Sequence, residues 1–557
     1  MKAILAAALL AGLPLTAWAQ TDQDLRASAT RTDSVLTYGQ GYGLQRFSPL
    51  TQIDKQTVKR LVPAWAYSMD SSWGEEAQPM VKDGLIFVSN HDKTVAIDAV
   101  TGREIWKTPV DYPADAGKMV CCNAQVSRGT ALYDGKVIRN TLDGFVIALD
   151  QKTGKELWRT KFGDNKDGVA LNGAPLVADG VVISGASGAE KGLRGYLAGF
   201  DAETGKQLWK HYTIPAPGEK GSETWPANSD IWKTGGGSAW LTGSYDPDLD
   251  LVFWGIGNPA PWNPLVRAGD NLFTDSMIAF HPKTGEWAWY YQTTPNDPFD
   301  YDGINALVLA EIPVNGTPTK VIIQANRSGI FYVVERATGK LVAANPYVKV
   351  TWTEGIDKNT GRPIPSDAFK RVLAGENVEI WPSGSGGTNW YPMSFSPQTG
   401  LAYVNTMNLG TTYQAIPAAQ VPELKVGGDF QQVKRTNIAP DIRGYLNAID
   451  PLTGKSKWQI PFKSPNWSGT LVTASNIVFS GTMTGDFIAV DAQEGQVLWR
   501  FQTSSGIIAP PVTWEQDGKQ MLAVLSGIGG VYSPARDPGI QNVPKGGSLW
   551  AFKLMEE

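Results

Sequence analysis

The sequence predicts an all-β fold, an eight-bladed β-propeller with Trp-docking motifs, and three observations carry that reading. A degenerate pattern recurs eight times, Gly and Trp are abundant at 60 and 21 residues, and no Pro- or Ser-rich linker or charge block divides the 557 residues. Length alone therefore does not imply several domains.

Residues 1–19 read as an export signal: Lys2 starts it, Ile4 to Trp18 form a mostly apolar stretch, and Ala17-Trp18-Ala19 precedes the expected cleavage before Gln20. No later run approaches the roughly 18 apolar residues of a spanning helix, and no Cys follows the cleavage point for lipid attachment. The expectation is a periplasmic protein with no membrane span, its residues 20–557 forming one propeller domain.

The repeat has the form A-x-D-x-x-T-G-x-x-x-W. Its copies are AIDAVTGREIW (96–106), ALDQKTGKELW (148–158), GFDAETGKQLW (199–209), AFHPKTGEWAW (279–289), VVERATGKLVA (333–343), SFSPQTGLAYV (394–404), AIDPLTGKSKW (448–458) and AVDAQEGQVLW (489–499). Each predicts an apolar strand, a tight turn whose Gly takes positive φ, and a returning strand. Such a hairpin buries both faces only when stacked on neighbouring sheets, and a Trp at a fixed place can fill the space between them. The Gly-to-Gly spacing runs from 41 to 80 residues, with the excess between Gly205 and Gly285 and between Gly339 and Gly400. Those insertions are where function is expected; the Trp-docking turns themselves are scaffold.

A net charge of -5 argues against a nucleic-acid surface. The chain has two Cys, adjacent at Cys121-Cys122. They are either a vicinal disulfide, which forms a rigid sulfur platform suited to a planar ligand, or a pair of free thiols. The three His belong to no H-E-x-x-H or C-x-x-C-H motif, so neither a zinc peptidase nor an attached haem is encoded. There is no G-x-S-x-G elbow. The glycines of GASGAEKG lack the context of a dinucleotide site, and DNKDG lacks the closing Glu of an EF-hand.

Around the Cys pair, the segments SGASGAEKGLRGYLAGFD, DIWKTGGGSAW, GIGNPAPWNP, DPFDYDGIN, QANRSGIFYV, GGTNWYPM and PNWSGTL resemble the pyrroloquinoline quinone (PQQ) dependent methanol and ethanol dehydrogenases over nearly the whole mature chain. The resemblance implies that a Cys121–Cys122 disulfide lies on one face of PQQ and Trp240 on the other. It implies a hard cation held by Glu190, Asn258 and Asp300, whose oxygen donors suit Ca²⁺ or a similar ion. Asp302, in Asp300-Tyr301-Asp302, matches the carboxylate of lanthanide-using members, so a lanthanide is favoured with Ca²⁺ the alternative.

By the same resemblance Asp300 is the general base, taking the alcohol proton as hydride moves to C5 of the quinone, and Arg327 stabilises the charge that develops. Glu76, Arg128, Asn172, Ser187, Asn389 and Trp467 match contacts at the edge of the cofactor. Two departures stand out: Asn172 replaces a frequent Thr, and the stretch from Cys122 to Arg128 is one residue longer than the common form. The implied substrate is an alcohol, short and primary or larger or secondary, with a sugar or sorbose-like polyol as the alternative, and electrons pass to a soluble cytochrome c. Oligomeric state stays open, a homodimer among the options. Related propellers serve as scaffolds in outer-membrane protein assembly, but a scaffold has no need of these site residues.

Overall fold

The computed structural model describes residues 21–556 apart from 114–115, 122–124, 429, 531 and 533–536. The expected export signal and Cys122 lie outside the described residues. Among the described residues there are two short α-helices, Asp22–Arg26 and Asp367–Leu373, in a chain otherwise built of strands, turns and 3₁₀ segments. No helix is long and apolar enough to cross a membrane.

Eight sheets of four or five strands follow one another at 80–109, 130–161, 176–212, 244–292, 308–346, 394–462, 470–502 and 512–554, an all-β array that fits a propeller. In the first sheet, the third strand Lys93–Asp98 is almost wholly buried, whereas the outermost strand Glu104–Pro109 alternates and buries Trp106. Central strands covered on both faces read as apolar runs, and edge strands facing water on one side read with a period of two. The eighth sheet takes its outermost strand from Leu61–Ser68, which pairs antiparallel with Ser548–Leu554 near the other end of the chain. Its third-to-fourth-strand hairpin is thus split between distant segments and carries no Thr-Gly copy.

The repeat performs the docking expected of it, and it does so across sheets. The indole N–H of Trp106 donates to Gln151 O of the second sheet at 3.0 Å, Trp209 to Pro282 O of the fourth at 2.8 Å, and Trp458 to Ala492 O of the seventh at 3.0 Å. Trp499 donates to Leu61 O of the eighth sheet, and Trp65 of that sheet to Ala99 O of the first. Trp158 and Trp289 lie against Gly205 and Gly339 of the following sheets. Where the fifth sheet has Ala343 in place of Trp, Asn345 Nδ2 bonds Leu452 O of the sixth at 2.8 Å.

One copy departs from this pattern. SFSPQTGLAYV forms the turn between the first two strands of the sixth sheet, Ser394–Ser396 and Leu401–Met407, so Gly400 has no neighbouring Trp and open space at its Cβ position. The insertion expected between Gly339 and Gly400 is accordingly joined by a second, over 408–443. The two together form the three-stranded sheet of Val378–Ile380, Gly410–Ala415 and Val433–Ile438.

Glycine is required at the docking turns for two reasons. Gly285 sits at φ +69°, and a Cβ there would lie 2.5 Å from His211 and 2.7 Å from the Trp209 ring. Gly285→Ala is expected to cost roughly 2–5 kcal/mol from strain plus overpacking. Gly400→Ala, equally left-handed but unobstructed, is expected to cost about 1–2 kcal/mol. The two urea midpoints measure the difference, and equal midpoints would refute the packing role.

Residues 35–48 run across the first strands of six sheets. Val35 bridges Val81, Gln40 Nε2 donates to Thr513 O, and backbone N–H groups of Tyr245, Leu309, Phe395 and Val472 donate to the carbonyls of Tyr42, Gly43, Gln45 and Arg46. This strap ties the sheets together at their inner edges and leaves the connecting loops to carry side chains for chemistry.

Candidate active site

Asp300 and Asp302 lie in the segment joining the fourth and fifth sheets. Asp297 builds the turn: its carboxylate accepts from Phe299 N at 2.8 Å and Tyr301 N at 2.7 Å, and the buried Tyr301 hydroxyl donates to Pro382 O at 2.7 Å. An extended Asp300-Tyr301-Asp302 would point both aspartates one way. Instead both have left-handed φ, +70° and +53°, and their carboxylates still meet on one guanidinium. Arg327 Nη2 donates to Asp300 Oδ2 at 3.0 Å and to Gly384 O at 2.5 Å, while Nη1 donates to Asp302 Oδ2.

Asp302 Oδ1 accepts the backbone N–H of Asn258 at 2.9 Å. The preceding Gly257 makes this approach possible, since a Cβ there would sit 2.4 Å from that oxygen. Glu190 lies on the turn Ala189–Lys191 and is buried. Burial and the neighbouring Asp302 push its carboxyl up to about 7. Burial also raises Asp300 well above the usual carboxylate range; Arg327 opposes that shift, and Asp302 and Glu190 add to it. Burial works against the charge of Arg327, but Asp300, Asp302 and Asp297 outweigh it and hold the guanidinium protonated.

A second group adjoins the first. Arg128 and Glu76 form a buried ion pair at 2.8 Å. The Arg128 guanidinium lies 4.8 Å from the Trp240 ring and 4.9 Å from the Trp390 ring. Trp240 stands between the two groups, beside Arg128 and near Asp302. Arg128 N donates to Asn172 O at 3.0 Å. Ser187 Oγ donates to Ala170 O at 2.6 Å, and Asn389 Nδ2 to Ser385 O at 2.8 Å. Trp467 packs edge-on against Tyr391 and Tyr532 with ring centroids 5.6 and 5.2 Å apart. Cys121 is disulfide-bonded, and the described residues contain no free cysteine.

A family model described as "PQQ: Glucose/ethanol/alcohol dehydrogenase, beta-propeller domain" matches residues 36–359 and 441–522. This chain belongs to the PQQ-dependent alcohol dehydrogenase family. The dehydrogenase is 36% identical to the quinoprotein alcohol dehydrogenase PedH of Pseudomonas putida, covering 100% of this chain and 96% of that one. It is 38% identical to the quinoprotein ethanol dehydrogenase of Pseudomonas aeruginosa, covering 96% and 92%. It superposes on a europium-containing methanol dehydrogenase with TM-score 0.90 at 34% identity, covering 96% and 100%.

The dehydrogenase's side chains fit the groups that its family uses. Asn258 Oδ1, Asn172 Oδ1, and Arg128 Nε and Nη1 are buried without hydrogen-bond partners, so each can accept or donate to a bound group. Glu190, Asn258, Asp300 and Asp302 offer only oxygen donors, which selects a hard cation. Among the described residues no three His, Cys, Asp or Glu side chains converge closely enough to hold an ion, and Asp300 and Asp302 are both paired with Arg327.

Sequence reasoning passed over Asn305, whose Oδ1 accepts Arg327 N at 3.0 Å and whose Nδ2 donates to Asn389 O at 2.6 Å. It lies in the DPFDYDGIN segment, so its position was in view though its role was not. Also passed over was Tyr532, whose hydroxyl accepts from Trp390 Nε1 beside Glu76.

Glu75 turns away from Glu76 and packs against Gly527 and Gly547. Burial pushes its carboxyl up to about 8, although nearby Asn90, Ser71 and Lys93 pull it down, and neither carboxylate oxygen has a hydrogen-bond partner. The folded state therefore binds the Glu75 proton more tightly than the unfolded chain, and stability falls as pH rises from about 4.5 towards 8. Glu75→Gln is expected to remove a slope of up to ~1.4 kcal/mol per pH unit. Thermal midpoints measured from pH 5 to 8 should be flatter in the variant; parallel curves would refute the assignment.

Proposed function

We propose that this chain is a periplasmic dehydrogenase that oxidises alcohols to aldehydes or ketones with PQQ and a lanthanide ion. In this reading residues 20–557 form one eight-bladed propeller, exported by a signal at 1–19. The observation that carries it is the meeting of Asp300 and Asp302 on Arg327, beside Glu190 and Asn258, in a chain of this family. The run of contacts from each sheet to the next, made by Trp except where Asn345 links the fifth to the sixth, and returning from Trp65 to the first, supports the eight-bladed ring.

When bound, PQQ accepts two electrons from the alcohol carbon, and the cation adds Lewis acidity. Asp300 takes the hydroxyl proton at a carboxylate oxygen; its burial raises the basicity that this task needs. Arg327 keeps that carboxylate in place and offers N–H groups to developing negative charge. Glu190, Asn258, Asp300 and Asp302 would hold the cation, and Arg128, Asn172, Ser187, Asn389 and Trp467 the edge of the quinone, between the Cys121–Cys122 disulfide and Trp240. Asp302 and the europium-containing relative support a trivalent ion over Ca²⁺. In this reading a soluble cytochrome c is the acceptor.

The test is dye-linked oxidation of methanol, ethanol, butanol, a secondary alcohol and sorbose by apo-protein reconstituted with PQQ and either Ca²⁺ or La³⁺. Alcohol oxidation with La³⁺ is expected. Activity with Ca²⁺ alone would overturn the lanthanide assignment, and inactivity with both ions would overturn the reading itself.

A further inference from the structure

Arg435 lies on Val433–Ile438, one of the two strands that the 408–443 insertion adds to the small three-stranded sheet. Its guanidinium carbon stands 4.2 Å from the centroid of the Trp262 ring. Its Nη1 occupies the open side of Gly384, where a Cβ would lie 2.6 Å from it and 2.7 Å from Phe299 O. The Gly384 carbonyl accepts from Arg327 Nη2, the same nitrogen that holds Asp300. Arg435 is therefore one peptide group away from the reacting centre.

Arg435 has no carboxylate within ion-pair distance among the described residues, and Asp300, the nearby acid, is already bound by Arg327. Its side chain is half-buried, so the charge is partly desolvated. Stacking on Trp262 uses the face of the guanidinium and leaves its in-plane N–H groups free to donate. A planar fork in that condition matches a carboxylate better than any neutral group.

We propose that Arg435 selects the substrate by pairing with a carboxylate carried on the alcohol, which makes hydroxycarboxylates the preferred class over neutral alkanols. This rests on the dehydrogenase reading above. Arg suits this place better than Lys, which has no flat face to lie on Trp262 while donating in its own plane. An alcohol lacking the carboxylate leaves the partly buried cation without its partner, which is how a polar site discriminates strongly.

The experiment compares gamma-hydroxybutyrate with n-pentanol, a neutral alcohol of similar length, using holoenzyme of the wild type, Arg435→Met and Arg435→Lys. The ratio of the two kcat/KM values is expected to fall at least tenfold in Arg435→Met, chiefly through KM for the hydroxy acid, and to be partly kept in Arg435→Lys. An unchanged ratio in Arg435→Met overturns the proposal. Calorimetric binding of glutarate, which has no hydroxyl to oxidise, should be measurable in the wild type and lost in Arg435→Met; equal binding also overturns it. Glutarate binding that depends on Arg435, in a wild type that oxidises no alcohol, would overturn the dehydrogenase reading and leave Arg435 as an anion site.

Discussion

Asp300→Asn is expected to lower kcat by about two to four orders of magnitude while the protein still binds PQQ. The substitution keeps the size of the side chain and its contact with Arg327 Nη2, so the fold and the guanidinium's position have little reason to change. What it removes is basicity. An amide cannot take the alcohol proton, and it is a poorer donor to a hard cation than a carboxylate. Turnover assayed beside the PQQ content of the purified protein separates the two losses. Retained PQQ with turnover near the wild-type rate would show that another group is the base.

Asp302→Ala is expected to change which ion supports activity. Asp302 is 2% exposed, and its two oxygens take the Asn258 N–H and Arg327 Nη1. Deleting the carboxylate subtracts one negative charge from a group that otherwise includes Glu190 and Asp300, and that charge matters more to a trivalent than to a divalent ion. Activity with La³⁺ should fall at least a hundredfold, and activity with Ca²⁺ should then exceed it. The Asn258 N–H loses its acceptor in the same change, so stability should drop by about 1–3 kcal/mol. A stability loss with an unaltered order of metals would make Asp302 a structural residue only.

Much of the fold was legible because its signal is local and repeated. Each Thr-Gly turn places a Gly where positive φ is needed and a Trp at a set distance after it, and a repeated pattern shows through substitutions at single copies. The copy around Gly400 misled for the same reason: a Thr-Gly turn between any two antiparallel strands looks alike in sequence, and only the pairing of Ser394–Ser396 with Leu401–Met407 reveals which turn it is. The eighth sheet could not be read locally, since Leu61–Ser68 and Ser548–Leu554 lie at opposite ends of the chain.

The residues of the site were legible through family motifs, but their relations were not. Glu190, Asn258, Asp300 and Arg327 come from loops of different sheets, and no spacing along the chain states that two left-handed aspartates flanking the buried Tyr301 meet one guanidinium. Arg435 shows the limit most clearly. It stands in no motif, on an insertion whose length is visible but whose path is not, and only folding lays it across Trp262 beside Gly384.

The sequence by itself determined the all-β class, the sheet-by-sheet repeat, the enzyme family and the chemical types available for catalysis, because periodicity and motif spacing act over short stretches of chain. Only the tertiary structure decided which carboxylates share Arg327, how Arg128 packs against Trp240 and Trp390, and that Arg435 lies over Trp262 beside Gly384. Those facts are distances between loops of separate sheets, set by how the sheets dock and by the strap across their inner edges.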